Sequence, residues 1–186
     1  MPDPELNSAQ HEMLKIWTKH LDAEFQEQDA AESCGTMTPD ATVNHVPVMT
    51  GGSGVKQLEH FYGRYFIPRM PADVAMVPVA RTIGTDRIVD EFVFRCTHSV
   101  RMDWLAPGIE ATGHRIEIPM VVAVDFRDGR IAAERIYWDQ AGVLVQLGLI
   151  NPAGLPVASA EAAAKVLDPS LPSNLLIKRF VNDDIL

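Results

Sequence analysis

Apolar and polar residues alternate along this chain with two different periods. Between Ser8 and Gln28, Leu14, Trp17, Leu21 and Phe25 recur at three- and four-residue spacing within a polar segment, with Met13 beside them. That spacing predicts an amphipathic helix, which Asn7 or Ser8 can cap. A shorter helix is expected over Ala30 to Met37, weakened by Gly35 and ended by the Pro39-Asp40 turn. Thr42 to Val46 reads as a short strand leading into a GGSG turn. After it, Ser53 is expected to cap a third helix, whose apolar face is Val55, Leu58, Phe61, Tyr62, Tyr65 and Phe66 and which Pro68 stops.

From Val74 onward the period becomes two. Val74 to Gly84, Arg87 to Trp104, His114 to Arg127 and Arg130 to Trp138 are rich in β-branched and aromatic residues and read as four long strands joined by hairpins. Asp128-Gly129 is a type I′ hairpin signal, because both residues tolerate positive φ. The connection APGIEATG is longer. Helices followed by an antiparallel meander imply an α+β domain in which a curved sheet wraps the N-terminal helices and leaves a cavity.

With 186 residues, 47% of them hydrophobic, the chain suits one domain with a tail. The expected division is a domain over 1–150 and a C-terminal extension over 151–186. A net charge of −9 offers no basic footprint for nucleic acid or an anionic membrane, so a small molecule or another protein is the expected partner. Cys34 and Cys96 form no CxxC motif, and MPDPELNSAQ is too polar for a signal peptide. A soluble, cytoplasmic protein is the expectation.

The segment ATVNHVPVMTGGSGVKQLEHFYGRYF resembles the corresponding stretch of ketosteroid isomerases, and DFRDGRIAAERIYWDQAGVLVQLG resembles the end of SnoaL-like polyketide cyclases. Both families have the nuclear-transport-factor-2-like fold, a cystatin-like α+β barrel, and the resemblance spans Leu14 to Gly148. It implies that fold, a hydrophobic pocket, a homodimer and isomerase, dehydratase or cyclase chemistry. The isomerase's general-base aspartate falls on His45, so a proton acceptor is kept. Its oxyanion-hole aspartate falls near Pro119, and its first-helix tyrosine near His20 or Leu21, where no tyrosine stands. The cyclase's aspartate before tryptophan is replaced by Tyr137 before Trp138. The partners that would define either reaction are therefore missing.

Strand phase supplies candidates in their place. Phe92, Phe94, Cys96 and His98 share one face, and Glu134, Ile136 and Trp138 share another. The expected catalytic set is His45, His98 and Glu134, in a pocket walled by Phe61, Tyr62, Phe94 and Trp138. Two imidazoles and a carboxylate can divide acid and base roles when burial separates their pKa values. Against this, His45 could cap a turn, His98 could be a satisfied core group, and a bulge would turn Glu134 outward. Asp139 reads as a helix cap rather than a catalytic acid. Asp103-Trp104 is either a lid element or a strand terminus.

No metal and no cofactor are expected. Phosphate-loop and dinucleotide signatures are absent, and a triad of His45, His98 and Glu134 would have to converge from three strands. Beyond Gly148, SAEAAAKVL reads as a short helix in an apolar, proline-punctuated tail that docks on its own domain or on a second subunit. The sequence thus points to a cofactor-independent acid/base enzyme acting on a small apolar carbonyl compound. The alternative is a non-catalytic binding or accessory dimerisation protein of the same fold.

Overall fold

The computed structural model describes residues 6–181. Helix α1 (Ser8–Asp22) opens with a reciprocal cap, in which the Asn7 side chain accepts from the Gln10 N–H and the Gln10 side chain accepts from the Asn7 N–H. Gln10 also donates to the carbonyls of Ile83 and Gly84, which fixes the start of the helix against the sheet. Met13, Trp17 and His20 form its buried stripe, while Leu14 and Leu21 are only half-buried. The helix runs on through a wider π-type turn, Ala23–Glu27, to Gln28 in the left-handed region at φ 56°. Helix α2 (Ala30–Gly35) is capped by Asp29, whose carboxylate accepts from the N–H groups of Ala31 and Glu32.

Strand β1 (Met37–His45) is longer than the short strand expected, and it absorbs Pro39 and Asp40 with a shift of register between Met37 and Thr42. The GGSG segment is not simply a turn. Thr50–Ser53 forms strand β2, antiparallel to β1. Gly51 is required there because its φ is 137° and a Cβ would overlap the Val43 carbonyl. Helix α3 (Val55–Phe61) has Gly54 at its N-cap and no side-chain cap, so Ser53 does not serve as expected. Its apolar face continues through a π-type turn, Tyr62–Phe66, and one turn of 3₁₀ helix, Ile67–Arg69, which contains Pro68.

Strands β3 (Ala75–Ile83), β4 (Arg87–Thr97), β5 (Arg115–Arg127) and β6 (Arg130–Tyr137) form the expected meander. Asp128 and Gly129 turn the last hairpin with φ of 53° and 70°. The six-stranded sheet has the order β2-β1-β6-β5-β4-β3 and stays open. It is not wholly antiparallel, because β1 lies parallel to β6, bringing Val43 opposite Glu134 and His45 opposite Ile136. β4 stops at Thr97, whose N–H and hydroxyl both donate to Asp73, rather than continuing to Trp104. The chain then folds into a compact turn, where Asp103 accepts from Arg101 and the Gly108 N–H and Trp104 is buried in the core.

Helix α4 (Gln140–Gln146) is capped by the Asp139 carboxylate, which accepts from the N–H groups of Ala141 and Gly142. Helix α5 (Ala160–Leu167) lies against β5, and α6 (Leu175–Phe180) exposes Leu175, Ile177 and Phe180. Among the described residues no helix is long and apolar enough to cross a membrane. The concave face of the sheet carries Phe94, Met120, Val122, Glu134 and Ile136, and α1 and the π-type turns Ala23–Glu27 and Tyr62–Phe66 face it across a cavity.

Candidate functional site

Between the sheet and the helices lies a cavity of about 520 Å³ with a predominantly apolar lining. That volume falls within the ordinary range of small-molecule sites. Polar side chains face it in several places, and two sets of them are built around histidines.

His45, at the end of β1, is one of them. Its ring is 3% exposed and is surrounded by Phe61, Phe66, Trp104 and Trp138, with centroids 5.5–5.8 Å away. Nδ1 lies 3.3 Å from the Thr50 carbonyl, an acceptor only, so Nδ1 carries the proton and Nε2 keeps its lone pair. Burial depresses the imidazole to about 4, a shift the Thr50 contact opposes only in part. His45 is therefore neutral at pH 7. Its position depends on β2, since Thr50 pairs with His45 in register and the Thr50 hydroxyl donates to the Trp104 carbonyl.

The second group joins α1 to β6. His20, with no exposed surface, places Nε2 3.0 Å from a Glu24 oxygen and 3.1 Å from Oε1 of Glu134. The Thr36 hydroxyl donates to the Ser33 carbonyl, which leaves its oxygen to accept from His20 Nδ1 at 2.8 Å. That contact orients the His20 ring and aims Nε2 at the carboxylates. The Tyr62 hydroxyl lies 3.5 Å from the same nitrogen. Burial opposes charge on His20, but Glu134 and Glu24 together outweigh it and hold the imidazole well above its usual pKa. Burial also raises the Glu24 carboxyl, against the pull of His20, and keeps Tyr62 a neutral phenol. Near these groups Asp90 accepts from Trp17 Nε1 at 2.7 Å and from both forks of Arg81.

Of the residues expected from the sequence, His45, Glu134, Tyr62 and Phe94 line the cavity. Glu134 is 4% exposed and inward, so no bulge turns it to solvent. His98 does not join them. β4 has ended at Thr97, and the His98 ring is buried under the following loop, where Nδ1 takes the Thr112 N–H at 3.2 Å. Burial and the neighbouring His114 lower its pKa. Phe61 and Trp138 pack against His45 but do not line the cavity, and Trp138 Nε1 donates to Gln140. Pro119 is not a lining position either; its neighbour Met120 is.

Two site residues escaped the sequence reading: His20 and Glu24. Met13, Trp17, His20 and Glu24 recur at spacings of four, three and four, which marks one helix face running through the core. Following the apolar residues alone selects Leu14, Leu21 and Phe25, one position away from that stripe.

The SnoaL-like domain family matches residues 17–134 of the chain. In three dimensions it is similar to a protein named as a SnoaL-like polyketide cyclase from Jannaschia sp. CCS1, with a TM-score of 0.64, 17% identity and coverage of 80% of this chain and 99% of that one. AclR from Streptomyces galilaeus, described as a hydroxylase, aligns with a TM-score of 0.55 and 19% identity over 76% of this chain and 99% of its own. A protein of ketosteroid isomerase-like fold from Catenulispora acidiphila, solved with trimethylamine, gives 0.57 and 18% over 73% and 94%. No functionally curated protein matches the chain in sequence. At these identities the likeness is one of fold.

Proposed function

The chain belongs to the SnoaL-like domain family, and we propose that it moves a proton on a small, largely apolar carbonyl compound, with His45 as the base. The observation that carries this reading is the state of His45. Its Nδ1 proton is engaged by Thr50, its Nε2 lone pair is unprotonated at pH 7, and it faces a cavity whose other polar walls include Glu24, Tyr62 and Glu134. An apolar ring would lie between the aromatic and methionine side chains, with its oxygen toward the Tyr62 hydroxyl, which stays a neutral donor.

Nε2 of His45 removes a proton from the carbon next to the carbonyl, and the electron pair of that C–H bond moves onto the oxygen as an enolate. The imidazolium then returns the proton to another carbon, which is isomerisation, or gives it to a departing hydroxyl, which is dehydration. If the enolate carbon instead attacks a second carbonyl of the same molecule, the ring closes and the proton goes to the new alkoxide. Protonating a base depressed to about 4 costs about 3 kcal/mol relative to an ordinary histidine. An enolate forming in the same dry cavity offsets that cost by pairing opposite charges where the dielectric is low.

The same low basicity supports a second reading, a binding protein that holds an apolar ligand without turning it over. Turnover of a panel of bicyclic and tricyclic ketones by the protein and by His45→Gln decides between them. Catalysis predicts a loss of about 10²–10⁴-fold with ligand affinity kept. Equal turnover by the two proteins removes His45 from the chemistry, and binding with no turnover by either supports the binder.

A further inference from the structure

We propose that His20, Glu24 and Glu134 form a site for a first-row divalent cation of the Mn²⁺, Fe²⁺ or Zn²⁺ class, bound through His20 Nε2 and one oxygen of each carboxylate. The site goes beyond the role of His45: ion binding does not depend on that role, and only the polarising of a substrate carbonyl rests on it.

The donor atoms are already gathered. All three lie within 4.8 Å of one another, and the two imidazole–carboxylate separations are 3.0 and 3.1 Å. Two ligands about 2.0–2.2 Å from one ion at angles between octahedral and tetrahedral stand about 2.8–3.6 Å apart. The donor set of one imidazole and two carboxylates suits borderline divalent ions rather than thiolate-seeking ones. Charge closes as well, because the ion takes the place of the Nε2 proton, and the neutral imidazole, two carboxylates and a divalent ion then sum to zero in a place with almost no solvent.

A second observation points the same way. Glu134 is 4% exposed, yet its Oε1 meets His20 Nε2 at 3.1 Å outside hydrogen-bond geometry and has no other donor. A buried carboxylate oxygen without a donor is costly, and a cation would satisfy it. The surrounding contacts are those a metal-bound histidine needs, since Thr36 receives the Nδ1 proton and so presents Nε2 as the ligand. The ligands sit on firm supports, with His20 and Glu24 four residues apart on one face of α1 and its continuation and Glu134 in the central strand β6. Glu24 and Glu134 also line the cavity, so the remaining coordination positions open toward it. There the ion would take the substrate oxygen and polarise the carbonyl as a Lewis acid.

The test is an equilibrium titration of the chelator-stripped full chain with MnCl₂, read by the loss of the free Mn²⁺ electron paramagnetic resonance signal, and with ZnCl₂, read by calorimetry and melting temperature. The expected result is one ion per chain, a rise in melting temperature, a loss of affinity of at least about tenfold in Glu134→Gln and Glu24→Gln, and unchanged binding in His45→Gln. Circular dichroism confirms that each variant is folded; if one glutamate variant is not, the other carries the comparison. Absence of stoichiometric uptake of either ion overturns the proposal. So does uptake that both glutamate variants retain in full, which would place the ion on surface histidines. Either failure leaves the His45 reading standing, because uptake is measured without turnover.

Discussion

His20 Nε2 lies 3.1 Å from Oε1 of Glu134, and that contact joins the first helix to the central strand β6 through the interior of the domain. Both side chains are almost completely buried, so each depends on the other for its polar environment. Removing one partner of such a pair leaves an uncompensated buried group. Glu134→Ala should destabilise the chain by about 3–5 kcal/mol in urea denaturation. Glu134→Gln keeps the shape and one acceptor and should cost less, about 1–3 kcal/mol. Equal and negligible effects would mean that the cluster does not hold α1 to the sheet.

Acid should weaken the fold through His45. The unfolded imidazole titrates at about 6.5 and the folded one at about 4, so the unfolded state binds the extra proton as pH falls between those values. The stabilising contribution is complete above pH 6.5 and lost by about pH 4, a swing of about 3 kcal/mol. His98, also depressed, adds in the same direction. Stability measured against pH should therefore be flatter in His45→Phe than in the parent; parallel curves would contradict the burial of a neutral ring.

Gly51→Ala tests whether the edge strand holds the base in place. The new methyl group would overlap the Val43 carbonyl at a φ of 137°, which disrupts the pairing of β2 with β1. A stability loss of about 1–3 kcal/mol or more is expected. The His45 ring signals in nuclear magnetic resonance should shift with it, because Thr50 supplies the only hydrogen bond seen to that ring among the described residues.

Asp139→Ala serves as the contrasting case. Its carboxylate receives two N–H groups at the start of α4 and does not line the cavity. The change should cost about 1 kcal/mol and leave ligand affinity and turnover unaltered. A selective loss of turnover would give Asp139 a chemical role that its contacts do not support.

These expectations rest unevenly on what the sequence makes visible. Strands β3 to β6 and the Asp128-Gly129 turn are legible because alternation and positive-φ tolerance are local properties. β2 is not, since Thr-Gly-Gly-Ser carries no apolar signal and is a strand only through backbone bonds to β1. The parallel pairing of β1 with β6 is likewise hidden, because it joins segments about 90 residues apart, and it is this pairing that sets Glu134 beside Val43. His45 could be found from its place before the glycines. His20 and Glu24 could not be found by following hydrophobicity, because the buried stripe of α1 turns polar where it meets the cavity. The phase of His98 was readable, but the end of β4 was not, as it is set by Asp73 across the sheet.

Isotope exchange measures proton removal from carbon by His45 without knowledge of the natural substrate. Proton nuclear magnetic resonance would follow 2-tetralone in D₂O with the protein and with folded His45→Gln. The protein is expected to accelerate loss of the α-proton signal above the buffer rate, and His45→Gln to do so about 10²–10⁴-fold less while still binding the ketone. Exchange at the same accelerated rate in both proteins would contradict proton removal by His45.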